Sequence, residues 1–112
     1  MGRSIAAAPY APLRKSSDVG RVRRVGTRRR VGGITVFAAP GEPGTPRVAV
    51  VAGRAVGNAV RRNRAKRRLR QALRLVPLRE GREYVVIASA AAVRAPFEAL
   101  VAWAQRATME QE

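Results

Sequence analysis

The chain predicts an α+β sandwich: a small mixed sheet of three to four strands packed with three helices, in the order α-β-β-α-β-α. Three observations carry this reading. Three runs rich in Val and Ile, at 31–39, 47–52 and 83–89, are each bounded by Gly, Pro or charged residues. Between the second and third runs lies a stretch, 58–76, free of Gly and Pro, whose apolar residues recur at helical spacing. A further helical stripe follows the last run, and elements in this order bury their apolar faces by packing helices on a sheet.

Residues 1–13 hold two Pro and no sustained period, so they read as a flexible lead-in to a single domain at 14–108, with 109–112 as a tail. Ser16-Ser17-Asp18 supplies N-cap chemistry for a short helix. Its stripe is Val19, Val22 and Val25, and Gly26 is the expected stop. Arg21, Arg23 and Arg24 occupy the other sides, and Thr27-Arg28-Arg29-Arg30 extends the charge. The first strand is 31–39, and Pro40 to Pro46 is a loop. The second, 47–52, is nearly all apolar, which predicts a central strand buried on both faces, paired with the first as an antiparallel hairpin. Pro77 ends the long helix, 78–82 turns at Gly81, and the third strand is 83–89. A helix joins the second and third strands, so they can be parallel neighbours, for which a right-handed crossover is the default. The last helix starts at Ala95-Pro96, with Phe97, Leu100, Val101, Ala104 and Thr108 facing inward.

The long helix is the most informative element. From Arg54 to Arg74 the chain carries nine Arg or Lys and no acidic residue. Gly57-Asn58 is a helix entry, because Asn accepts from the free amides of the first turn. At 100° per residue, Ala65, Leu69, Ala72, Leu73 and Val76 share one face, with Asn63, Arg67, Arg70 and Arg74 opposite. Glu at i±4 would relieve the repulsion between these cations, and none is present, so an external polyanion is the natural complement.

Composition points the same way. With 112 residues the chain is one domain with a modest core. Its formal net charge of +16 predicts salt-dependent binding to phosphate backbones. The absence of Cys and His removes disulfides, thiol nucleophiles, imidazole bases and the common zinc sites. The seven carboxylates are scattered along the chain, whereas two-metal hydrolysis needs several converging on ions about 4 Å apart. No catalytic residue and no metal ligand can therefore be assigned. No apolar run approaches a membrane span, and residues 1–12 lack the core of a signal peptide, so a cytoplasmic ribonucleoprotein is expected.

The stretch Val56-Gly-Asn-Ala-Val-Arg-Arg-Asn-Arg-Ala-Lys-Arg67 resembles the signature of the bacterial ribonuclease P protein component, with Arg62-Asn63-Arg64 as its centre. The likeness runs from about Arg14 to Arg106 and is looser at both ends. It implies a ribosomal-protein-like fold with a left-handed crossover between the second and third strands, against the default. It also implies a subunit that binds a catalytic RNA and the 5′ leader of precursor tRNA. Chemistry would lie with the RNA, and Mg²⁺ would be held mainly by the RNA and substrate. The expected partners are thus ribonuclease P RNA and precursor tRNA, with one protein monomer per RNA and no membrane. Arg54, Asn58, Arg61, Arg62, Asn63, Arg64, Lys66, Arg67 and Arg68 are the candidate RNA-binding residues. Phe37, with Val19 and Arg23, matches the leader cleft, where charge and aromatic stacking combine.

The first helix departs from the family pattern Asp-Phe-x-x-Val-Phe/Tyr-x-x-Gly, since Val19 and Arg23 replace both aromatics. The turn after the second strand, often Ser-Lys-Lys, is Gly53-Arg54-Ala55 and has one cation fewer. A non-catalytic RNA-binding protein such as a ribosomal protein accounts for the charge equally well. A cationic membrane-active peptide does not account for three strands.

Overall fold

Gly32 and Gly33 break what reads in the sequence as one strand. Gly32 has φ +55°, the positive value that a tight two-residue hairpin turn asks of its first residue. The chain reverses there, so Thr27–Val31 pairs antiparallel with Ile34–Pro40, from Val31 opposite Ile34 to Thr27 opposite Ala38. A Cβ on Gly32 would fall on the Trp103 indole. Trp103, off the inward stripe in the sequence, therefore covers this turn.

The computed structural model describes residues 10–109. Its elements are β1 (Ala11–Pro12), α1 (Ser16–Val25), β2 (Thr27–Val31), β3 (Ile34–Pro40), β4 (Arg47–Ala52), a 3-10 turn (Arg54–Val56), α2 (Ala59–Leu73), β5 (Arg82–Ala88), α3 (Ala91–Arg94) and α4 (Phe97–Thr108). This is the expected mixed α+β architecture, with five strands in the order β1-β4-β5-β3-β2. β1, β4 and β5 run parallel, while β3 is antiparallel to both β5 and β2. β4 and β5 are parallel neighbours linked through α2, as anticipated.

Several expectations need correction. The hairpin partner of β3 is β2, not β4, and the Arg-rich segment after Gly26, to which no element was assigned, is an edge strand. An edge strand tolerates cations because one rim faces solvent, where they also discourage pairing with other chains. β5, not β4, is the buried central strand: Glu83 to Val86 are all buried, whereas β4 is mostly half-buried. Among the described residues, the two of β1 cover the outer rim of β4. That same pairing corrects the lead-in over 10–13. The Ala11 and Leu13 amides donate to the Pro46 and Val48 carbonyls, each at 2.9 Å, and Leu13 is buried. Two residues of strand leave no periodic signal. Residues 1–9 lie outside the described residues, as do 110–112 of the expected tail.

The strand period of two sorts side chains between two cores. Ile34, Val36, Val48, Tyr84 and Val86 face Ala65, Leu69, Leu73 and Leu100 of α2 and α4. Ala39 and Val85 face Val22 of α1 on the other side, with Leu13. Glu83 is buried beside α1 and paired with Arg21. The start of α1 is Lys15, with no side-chain cap, so Ser16-Ser17-Asp18 does not play the expected role. Gly26 ends the helix in extended backbone; its missing side chain matters because a Cβ would lie 2.9 Å from the Ala38 carbonyl. Val25 is exposed, and Phe97 sits at the surface while Ala107 fills the inner face of α4. The short α3 was not anticipated.

Leu69 is fully buried and Leu75 is 52% exposed. Leu69→Ala should lose about 2–5 kcal/mol in urea unfolding, and Leu75→Ala no more than about 0.5 kcal/mol. Equal losses would mean that the buried face of α2 is misplaced.

Candidate nucleic-acid interface

α2 is held at its start by its own sequence. Gly57 takes φ +134°, and the Asn58 side chain accepts from the Arg61 amide at 3.0 Å, which caps the helix. The Arg62 guanidinium turns back and donates from Nη1 to the Gly57 carbonyl at 2.9 Å. Asn58 thus has a structural task, and Arg62 is oriented by the same turn.

Ala65, Leu69, Ala72 and Leu73 are buried, and Val76 just beyond the helix joins them. Arg61, Asn63, Arg64, Arg67, Arg70 and Arg74 are exposed, Lys66 is half-buried, and Arg54 is exposed on the preceding turn. The helical wheel was therefore legible in detail. Arg62 is half-buried at the Gly57 turn, and Arg68 is a predicted contact held by another element. Arg68 is half-buried and donates to the carbonyls of Ala92 at 3.0 Å, Val93 at 2.9 Å and Ala95, closing the carbonyl end of α3. Nothing in the sequence distinguished it from Arg67, because α3 was not foreseen.

Among the described residues, ion pairs join Arg21 to Asp18 at 3.4 Å, Arg21 to Glu83, and Arg47 to Glu42 at 3.3 Å. None involves α2. Tyr10 ties the chain start to this helix by donating to the Arg70 carbonyl at 2.9 Å. Burial pushes its phenol above the ordinary pKa, against the pull of Arg74 and Arg70, so it remains a donor.

The opposite sheet face gathers the other predicted group. Phe37 and Val19 are half-buried around Leu13, Val22, Ala39 and Val85, together with Ala49, Val51 and Ile87. Arg23 places its Cζ 5.9 Å from the Phe37 ring centroid, a cation–π contact. Phe37, Arg23 and Val19 are thus together beside α1. No group of three or more carboxylates gathers among the described residues, and no described helix is long and apolar enough to cross a membrane.

The small α+β sandwich thus carries a cationic helix face that forms no ion pair among the described residues and, on the other side of the sheet, a half-buried Phe37, the surface character of a polyanion-binding protein. The ribonuclease P family model matches residues 8–110, and the chain belongs to that family. It is 38% identical over 93 residues to the ribonuclease P protein component of Chloroflexus aggregans, covering 80% of this chain and 69% of the relative. Against that of Acidothermus cellulolyticus the identity is 44% over 97 residues, covering 80% and 78%. The Symbiobacterium thermophilum protein is 55% identical over 62 residues, where the match spans about half of each chain, 53% and 54%. The solved ribonuclease P protein of Thermotoga maritima shares the fold, with TM-score 0.75 over 89% of this chain and 98% of that one at 24% identity.

Arg67→Ala and Arg68→Ala remove the same charge from adjacent positions. Arg68→Ala should lower stability by about 1–3 kcal/mol through the carbonyls it leaves unpaired. Arg67→Ala should leave stability within about 0.5 kcal/mol and weaken RNA binding instead. Thermal melts and RNA titrations of both variants read the difference, and matching profiles would contradict these assignments.

Proposed function

We propose that this chain is the protein subunit of ribonuclease P, which supports endonucleolytic removal of the 5′ leader from precursor tRNA in the cytoplasm. The charged side of α2 docks on the catalytic RNA through Arg61, Arg62, Asn63, Arg64, Lys66 and Arg67, joined by Arg54 of the preceding turn. Asn63 contributes a short amide that donates and accepts among the cations, suited to phosphate or 2′-OH. Asn58 serves by capping the helix, and Arg68 by holding α3. The sheet face around Phe37, flanked by Arg23 and Val19, takes the single-stranded leader by charge and stacking.

The observation that carries this reading is the cationic face of α2, without a carboxylate partner among the described residues, in a chain of this family. Bond cleavage belongs to the RNA subunit, and Mg²⁺ is held there and by the substrate. The protein lowers the Mg²⁺ requirement by screening repulsion between the two RNAs, one monomer to each catalytic RNA.

Reconstitution tests it. Added to a bacterial ribonuclease P RNA at low Mg²⁺, the chain should restore cleavage of precursor tRNA, and the protein alone should cut nothing. Arg62→Ala with Arg64→Ala should weaken assembly and flatten its salt dependence by about 1.4–1.8 log units per log unit of salt. Cleavage by the protein alone, or no stimulation of the RNA, would contradict the proposal.

A further inference from the structure

The register of the β2–β3 hairpin sorts the run Arg28-Arg29-Arg30 between two faces. Residues directly opposite in an antiparallel pair lie on the same face of the sheet. Arg28 is opposite Phe37 and Arg30 opposite Thr35, so both share the face that carries Phe37 and α1. Arg29 is opposite Val36, on the other face, and donates from Nη1 to the Arg106 carbonyl at the end of α4, at 3.0 Å. Arg29 therefore has an internal structural role. Arg28 and Arg30 are exposed, and none of the ion pairs among the described residues includes them.

Arg30 leads into a row that crosses the sheet through Thr35 to Ile87, side by side on β2, β3 and β5. Arg28 begins the neighbouring row with Phe37, over which Arg23 already lies. The sheet thus offers a half-buried floor of Phe37, Thr35 and Ile87, with two like charges along its β2 edge. Two residues apart on one strand, these cations are separated by about 7 Å. That spacing suits successive phosphates of an extended single strand, whose bases can then turn toward the floor.

We infer that Arg28 and Arg30 form a phosphate rail along the β2 edge for single-stranded RNA lying on the Phe37 face. The inference rests on the proposal that this face receives the leader, and adds the residues that hold its backbone.

The test uses the holoenzyme reconstituted with a bacterial ribonuclease P RNA, and precursor tRNAs carrying either a one-nucleotide or a long single-stranded leader. Arg28→Thr/Arg30→Thr keeps strand propensity at exposed positions, and Arg29→Thr removes one charge from the opposite face. The double variant should lose about tenfold in affinity for the long-leader precursor and reduce its salt slope by roughly 1.4. Its affinity for the short-leader precursor and for the RNA subunit should not change. Arg29→Thr should melt earlier and leave the leader-length effect intact. The rail is overturned if the double variant binds both precursors as the wild type does, if it loses equally on both, or if Arg29→Thr reproduces its leader-length defect. Each of these outcomes leaves the subunit proposal standing as long as the wild-type chain still activates the RNA; failure of that activation would sink the subunit proposal itself.

Discussion

The structure depends on a contest along α2 between buried leucines on one face and mutually repelling cations on the other. Leu69 and Leu73 are fully buried, and together they contribute roughly 3–6 kcal/mol. The like charges at i,i+3 and i,i+4, such as Arg64 with Arg67 and Arg70 with Arg74, cost about 0.2–0.5 kcal/mol each. Burial wins, so the helix forms in the free protein and presents its charge already arranged. The Asn58 cap and the turn at Gly57 fix where the charged face begins. An RNA that meets this face gains from repulsion relieved as well as from contacts made.

The arginines divide their labour by position rather than by chemistry. Arg68 and Arg29 point inward and satisfy carbonyls at the ends of α3 and α4. Arg21 pairs with the buried carboxylate of Glu83. Among the described residues, the cations of α2 and those on the α1 side of β2 form no ion pair, and Arg62 reaches only the Gly57 carbonyl of its own turn. Net charge alone therefore overstates how much of the chain is available to RNA.

The long helix α2 was legible in the sequence because its signals are periodic and local. Ala65, Leu69, Ala72 and Leu73 repeat at the helical interval, and Gly57-Asn58 marks the entry. Strand pairing was less legible. A nine-residue β-branched run containing Gly32-Gly33 reads as one strand, and only the positive φ at Gly32 with Trp103 packed over it reveals a hairpin. The central strand was misassigned because β4 and β5 are similarly apolar, and burial follows from sheet order, a non-local property. Phe37 with Arg23 was found through the family pattern, whereas the separate roles of Arg28, Arg29 and Arg30 emerge only from the register.

The central claim is that repulsion among the cations of α2 is relieved by no ion pair among the described residues. Replacing Arg67 with Glu places an opposite charge three residues from both Arg64 and Arg70. Thermal melting of Arg67→Glu and of the wild type, followed from about 0.01 M salt to about 1 M as the screening length falls from roughly 30 to 3 Å, measures that repulsion directly. The account predicts that Arg67→Glu melts higher at low salt and that the difference closes as salt rises. A variant no more stable than the wild type at low salt, or a difference that salt does not change, would contradict it.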